Sequence, residues 1–314
     1  MNKIAQDLPA LRGRPESGKL AGLGFVNEGL GYNPVVYDLM FEMAWRDGPV
    51  DVQKWLDDYV QSRYGRSNED ARRAWQILLE TVYNGAHYTR STMDQMPHLR
   101  AAPKLPYDNA RLAEAWQALL AAADELGGID TFRFDLVNVA RQVLSNHAAV
   151  LHGAIVQAWQ TKDASALQSA SQRFLDLIRD LDKLLATRAE FLLGRWLADA
   201  KRWGTTDAER ARFEWNARRV LTIWGQGASL DDYARKEWSG MFGGFYLPRW
   251  ELFLNELNES LRSGQPFNEK EFQGKLRRWM ADWSDERRVY PTQPQGDRVQ
   301  MAKMLWDKYE KSLW

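Results

Sequence analysis

Apolar positions recur at helical spacing along most of the chain, and one short block breaks that rhythm. Leu20 to Val26 is an apolar run of buried-strand length. The Gly-rich turn Asn27 to Tyr32 follows it and carries one carboxylate, Glu28. Asn33-Pro34 then opens a helix, because Asn accepts from orphan amides at a cap and Pro is tolerated at the first helical position. A buried strand that ends in a carboxylate and leads into a helix has the form of a barrel enzyme's βα unit.

Beyond the breaker Asp47-Gly48-Pro49 the period is helical. Val52, Trp55, Leu56 and Tyr59 share one face over 51–63. Ser67-Asn-Glu-Asp70 has the form of a capping box, with Ala74, Trp75, Leu78, Leu79 and Val82 behind it. Residues 84–107, with Gly85, His87, His98 and three prolines, predict a long irregular loop, a length often tied to function. Amphipathic stretches follow over 108–126, 130–159, 164–200 and 206–223. After a Gly-rich break at 224–229, Ser229-Leu-Asp-Asp232 predicts a second capping box and a helix towards Tyr246. Pro248 should kink or restart that helix on its way to Arg262. Two last helices are expected over 268–284 and 297–311. No repeat of fixed motif recurs, which disfavours a solenoid.

The pattern thus holds one β segment and roughly nine or ten helices. A lone strand leaves its backbone groups without partners. Residues 1–48 therefore read as the tail of a larger α/β domain, and 49–314 as an all-α domain with its own core.

Composition narrows the chemistry. Lys+Arg and Asp+Glu are both 42, so no global field favours nucleic acid or an anionic membrane, and neither partner is expected. The absence of Cys excludes disulfides, thiolate metal sites and a Cys nucleophile. No apolar run approaches the roughly 20 residues of a membrane span, and Met1 to Asp7 shows no signal-peptide core. The four His include no H-E-x-x-H and no i, i+4 pair, so they read as ordinary surface or core residues; no metal or cofactor is expected. Gly22, Gly24 and Gly29 imitate part of a dinucleotide fingerprint, but the third Gly falls wrong. The 15 Trp suit sugar stacking or a helical core, and most are assigned to the core. What remains is Glu28, either a catalytic carboxylate or an ordinary turn acid near a helix N-terminus.

Several separated blocks resemble the C-terminal part of the alpha-N-acetylglucosaminidases, glycoside hydrolase family 89. The first is Glu28-Gly29 with Asn33, Val36-Tyr37, Leu39-Met40, Glu42 and Trp45. Arg63-Tyr64-Gly65, Trp75 and Val82-Tyr83-Asn84 form the second, and Asp135-Leu136 with Arg141-Gln142 the third. Phe191 to Gly194 with Trp196-Leu197 is the fourth. The most specific runs from Leu221-Thr-Ile-Trp224-Gly225 through Asp232-Tyr233-Ala234, Lys236, Trp238-Ser-Gly240 and Tyr246 to Pro248-Arg249-Trp250 and Phe253-Leu254. Tyr290-Pro291, Gln293-Pro294 and Gly296-Asp297 close the series.

The resemblance implies a mainly α fold: an all-α C-terminal domain preceded by the last βα unit of a (β/α)8 barrel that is otherwise absent. It implies a retaining exo-glycosidase acting on glycans that end in α-linked N-acetylglucosamine. Glu28 then falls at the catalytic nucleophile. The family's acid/base Glu lies on an earlier barrel strand with no counterpart here, so the chain alone is expected to be inactive. In the family the all-α domain closes one side of the sugar pocket, and the resemblance puts Trp224, Leu230, Tyr233 and His87 at substrate-contacting positions. After Trp224-Gly225 the family usually has Pro, whereas Gln226-Gly227-Ala228 follow here. Family members are commonly periplasmic, secreted or lysosomal. The competing reading is a non-catalytic helical module for glycan binding or protein interaction, retaining only the scaffold.

Overall fold

The computed structural model describes residues 1–26, 32–84, 91–101, 104–224 and 230–313. Its helices are α1 Asn2–Arg12, α2 Pro34–Glu42, α3 Val52–Tyr64, α4 Glu69–Glu80, α5 Asn109–Ala121, α6 Ala123–Leu126, α7 Asp130–Gln160, α8 Ala164–Leu185, α9 Leu193–Arg202, α10 Asp207–Leu221, α11 Leu247–Ser263, α12 Glu269–Asp285 and α13 Arg298–Tyr309. Among the described residues no strand forms; an isolated bridge joins Leu192 and Ser239. The mainly α class predicted from periodicity is what folds.

The run Leu20–Val26 has no regular structure, and Leu20, Phe25 and Val26 are exposed. A strand needs a neighbour's N–H and C=O groups, and no described strand lies beside this one. The helix behind it, α2, starts at Pro34 as predicted. Its Asn33 side chain makes no cap bond; its Oδ1 accepts instead from the Tyr83 hydroxyl at 3.3 Å.

The chain gathers into two compact units. The first comprises Met1–Thr89, Leu105–Val143 and Trp306–Trp314; the second comprises Arg90–Lys104 and Leu144–Leu305. Among the described residues no helix is long and apolar enough to cross a membrane.

In the first unit, Asp51 caps α3 by accepting from the amides of Gln53 and Lys54, and Gly65 ends it at φ 68°. The predicted cap of α4 sits one residue later than Ser67: Asn68 accepts from the Ala71 amide. A buried polar chain joins α3, α4 and α7. Arg63 donates to both Asp135 oxygens at 2.6 and 2.9 Å, the Tyr64 hydroxyl donates to Asp135 at 2.8 Å, and Trp75 Nε1 donates to Tyr64 at 2.8 Å. Trp116 is fully buried, edge-on to Trp306 at 5.2 Å.

The second unit packs α8, α11 and α12 around an aromatic core of Phe174, Trp250, Phe253 and Phe272. The single stretch predicted over 164–200 is two helices, because α8 ends at Leu185 and α9 begins at Leu193. Gly194 lies so close to Pro291 that a Cβ would overlap its carbonyl oxygen. Ahead of α11, Phe242–Tyr246 forms a π-turn. Asp182 of α8 anchors that turn by accepting from the Gly240 and Gly243 amides at 2.7 and 2.8 Å. Among the described residues six Trp are buried: Trp55, Trp75, Trp116, Trp250, Trp283 and Trp306. Trp224 is among those left exposed.

Candidate functional site

The candidate site lies in the second unit, where the chain leaves α10. The Thr222 hydroxyl donates to the Arg218 carbonyl at 2.9 Å. The amides of Thr222 and Trp224 both reach the Arg219 carbonyl, at 3.0 and 2.6 Å. The chain returns at Asp232, whose N–H donates to the Thr222 carbonyl at 2.8 Å. The two ends of the connection are thereby tied together.

Among the described residues four non-glycine residues have positive φ, and three of them lie here: Trp224 at 53°, Asp232 at 58° and Arg235 at 42°. Left-handed backbone costs a residue with a Cβ roughly 1–2 kcal/mol, and such strain collects at binding and catalytic sites. The surroundings must hold it in place, and they do so through charge. Asp232 accepts from Arg249 Nη1 on both carboxylate oxygens, at 2.8 and 2.9 Å. Asp231 pairs with Arg277 of α12 at 3.2 Å, and Arg235 with Asp94 at 3.7 Å. Ser145 of α7 donates to Glu237 at 2.7 Å. Burial pushes the Asp232 carboxyl above its ordinary range, with Arg249 pulling against that shift. Asp94 is pushed well above the usual carboxylate range, by burial first and by the nearby Glu237 next, while Arg235 opposes. Both acids lie beneath the surface, and Asp232 braces the turn from below through Arg249.

Above these braces, Trp224 is 42% exposed and Tyr233 is 46% exposed. Their rings meet edge to face, 5.4 Å apart at 74°. Leu230 is also exposed, and its carbonyl accepts from the Tyr233 amide at 3.1 Å. An indole face can stack on the apolar face of a pyranose, while a phenol hydroxyl can bond to a sugar hydroxyl. An exposed aromatic corner braced from below is thus suited to a flat, hydroxylated ligand.

Three of the sequence-derived candidates, Trp224, Leu230 and Tyr233, come together where the two described ends of this connection meet. Glu28 and His87 lie outside the described residues. The cap residue of the predicted box, Ser229, lies outside the described residues; the helix expected behind it does not follow directly, because Leu230 to Tyr233 is a turn and regular α-helix resumes only at α11. The cause is Asp232, whose carboxylate is turned inward to Arg249 and is not available to a helix amide. Sequence reasoning missed this pair. The available signal is Arg249 itself, which follows the apolar run Met241 to Pro248 and precedes Trp250, and a cation in such surroundings needs a buried acid.

With this geometry in hand, known proteins supply the context. A family model for the alpha-N-acetylglucosaminidase C-terminal domain matches residues 55–308. A model for the alpha-N-acetylglucosaminidase tim-barrel domain matches residues 1–47. The alpha-N-acetylglucosaminidase of Homo sapiens is 35% identical over 315 residues, covering 96% of this chain and 42% of the human protein. A Clostridium perfringens family 89 enzyme, solved in complex with its substrate GlcNAc-alpha-1,4-galactose, superposes with a TM-score of 0.90 at 26% identity, over 100% of this chain and 38% of that one. A Clostridium perfringens family 89 glycoside hydrolase in complex with 2-acetamido-1,2-dideoxynojirmycin gives 0.89 at 28% identity, over 98% and 37%. The chain therefore spans about two fifths of the length of these relatives.

Proposed function

Given that the chain belongs to the alpha-N-acetylglucosaminidase family, we propose that it is the C-terminal portion of a retaining exo-glycosidase that removes terminal α-linked N-acetylglucosamine. Residues 1–48 are then the tail of its (β/α)8 barrel and 49–314 its all-α domain. Trp224 and Tyr233 stack on and bond to the terminal sugar, with Leu230 and His87 as lesser contacts. The observation that carries this reading is the exposed Trp224–Tyr233 corner on a strained, charge-braced turn. A relative solved with a GlcNAc-α-linked substrate supports the ligand class.

Glu28 is the nucleophile in this reading. A retaining glycosidase needs two carboxyl groups about 5 Å apart. One carboxylate oxygen bonds to the anomeric carbon as the glycosidic C–O bond breaks, and the second group gives its proton to the leaving oxygen. Water then attacks the anomeric carbon, passes a proton to that second group, and frees the nucleophile. The nucleophile must stay ionised while its partner is protonated, so the two need different surroundings. By family resemblance the partner Glu is not among these 314 residues, and the chain alone should not turn over substrate.

The test has two arms. The 314-residue chain is assayed on an aryl α-N-acetylglucosaminide, and so is a full-length parent carrying Glu28→Ala or Trp224→Ala. The expected outcome is no turnover by the chain, loss of kcat with Glu28→Ala, and a raised KM with Trp224→Ala. Near-normal turnover by the Glu28→Ala parent would overturn the nucleophile assignment. A parent indifferent to Trp224→Ala would favour a helical module that keeps the scaffold without the sugar contact.

A further inference from the structure

The connection between α10 and α11 carries a device that sugar contact alone does not explain. Asp232 sits in left-handed backbone at φ 58°, next in sequence to Tyr233. Its amide closes onto the Thr222 carbonyl at 2.8 Å, and the Trp224 amide closes onto the Arg219 carbonyl at 2.6 Å. Neither bond by itself favours the left-handed conformation. What opposes its relaxation is the side chain, because both Asp232 oxygens are engaged by a fully buried guanidinium.

Arg249 is in turn held from several directions. Its guanidinium carbon lies 4.4 Å from the Phe245 ring centroid and 5.3 Å from that of Tyr246. Its Nη2 donates to the Gln95 carbonyl at 3.2 Å. The π-turn Phe242–Tyr246 and Pro248 set the start of α11, so the arginine leaves from a fixed helical position. Swinging Asp232 to ordinary helical or extended backbone would pull its carboxylate from a buried cation. That loss exceeds the cost of a single left-handed residue, because it strands a buried charge without its partner.

We propose that Asp232 and Arg249 are positioning residues: a buried ion pair that latches the left-handed turn and so fixes the Trp224–Tyr233 corner for a terminal N-acetylhexosamine. The ligand half of this statement rests on the function proposed above; the latch itself does not. Neither residue meets the sugar. Each acts through the backbone of the turn, so its loss weakens binding by loosening the aromatic corner.

The experiment uses the 314-residue chain and four variants: Asp232→Asn, Arg249→Lys, the double Asp232→Asn with Arg249→Met, and Trp224→Ala. Two readouts are taken: hydrogen exchange at the amides of residues 224 and 232, and binding of methyl α-N-acetylglucosaminide by ligand-observed NMR. A double variant without buried charge should recover most of the stability lost by the single ones. The latch predicts that it still exchanges both amides at least tenfold faster than wild type, with sugar affinity at least tenfold weaker. A merely structural role predicts recovery of protection and binding along with stability, and that result overturns the proposal. If the double variant does not fold, Arg249→Lys decides: unchanged protection at both amides overturns the latch, and accelerated exchange in a folded chain supports it. Sugar binding that is indifferent to Trp224→Ala overturns the ligand half alone, while the amides still decide the latch.

Discussion

Acid should loosen the second unit through His98. The residue lies in the irregular stretch between α4 and α5, buried against His152 of α7 with ring centroids 5.2 Å apart. Its Nδ1 accepts from the Arg100 amide at 3.2 Å, and its carbonyl is 2.7 Å from His152 Nε2. An Nδ1 that accepts carries no proton, so this geometry holds the neutral ring. Burial pushes the His98 pKa down to about 4, helped by His152 and Arg100. The unfolded chain should titrate this His near 6.5. Above about pH 6.5 the ring is neutral in both states and costs nothing. Between about 6.5 and 4 the unfolded state binds a proton that the native state refuses, so stability falls as pH falls. Refusing that proton costs about 3 kcal/mol in full, of which about 2 kcal/mol is already lost at pH 5. His152, also lowered by burial, adds to the loss in the same direction.

The assay is a ring titration by carbon-edited NMR together with urea unfolding at pH 7 and pH 5. His98 Cε1–H should not shift above pH 5. His98→Asn, which keeps an acceptor for the Arg100 amide, should reduce the stability difference between the two pH values by about 2 kcal/mol. A His98 midpoint near 6.5, or parallel pH dependence in the variant, would refute the reasoning.

Three further outcomes follow from packing and charge. Gly194→Ala places a Cβ into the carbonyl oxygens of Tyr290 and Pro291 and should lower stability by about 3 kcal/mol, whereas Gly153→Ala, with open space around its Cβ position in α7, should raise it by about 0.5–1 kcal/mol; thermal melts of the two variants should move in opposite directions. Asp135→Ala leaves Arg63 and the Tyr64 hydroxyl without their acceptor and should cost about 3–5 kcal/mol in urea unfolding, more than any surface pair such as Glu69–Arg72. Trp116→Ala removes a fully buried ring and should cost about 3–5 kcal/mol by the same measurement.

Helices were legible because their signal is local: a 3.6 period is written within a few residues, as in α3 and α7. Asn68 and Ser67 differ by one position for the same reason, since either side chain suits a cap and the choice depends on where the helix packs. The run Leu20 to Val26 shows the opposite limit. Its apolar content was legible, but a strand is completed by partners, which no local pattern supplies. Asp232 failed differently. At a helix start and in a left-handed turn the same side chain is favoured, and the deciding partner, Arg249, lies 17 positions away in sequence. Trp224 and Tyr233 could be singled out only by resemblance, because nothing in their spacing separates an exposed aromatic corner from a core pair. Their strained setting, which is the physical mark of the site, is invisible in the residue types.

The irregular segment around residues 92–98 resembles, on paper, a safe place to splice in a tag or to vary in length. Its carbonyls argue otherwise. Those of Met93, Gln95 and His98 face Trp250, Arg249 and His152, three side chains buried in the second unit. One inserted residue would move every later acceptor past its donor, much as a single-residue slip misaligns a sheet. This stretch of non-repeating backbone therefore carries a register of its own. Length variation among relatives should be confined to either side of it, with the spacing from Met93 to His98 kept constant.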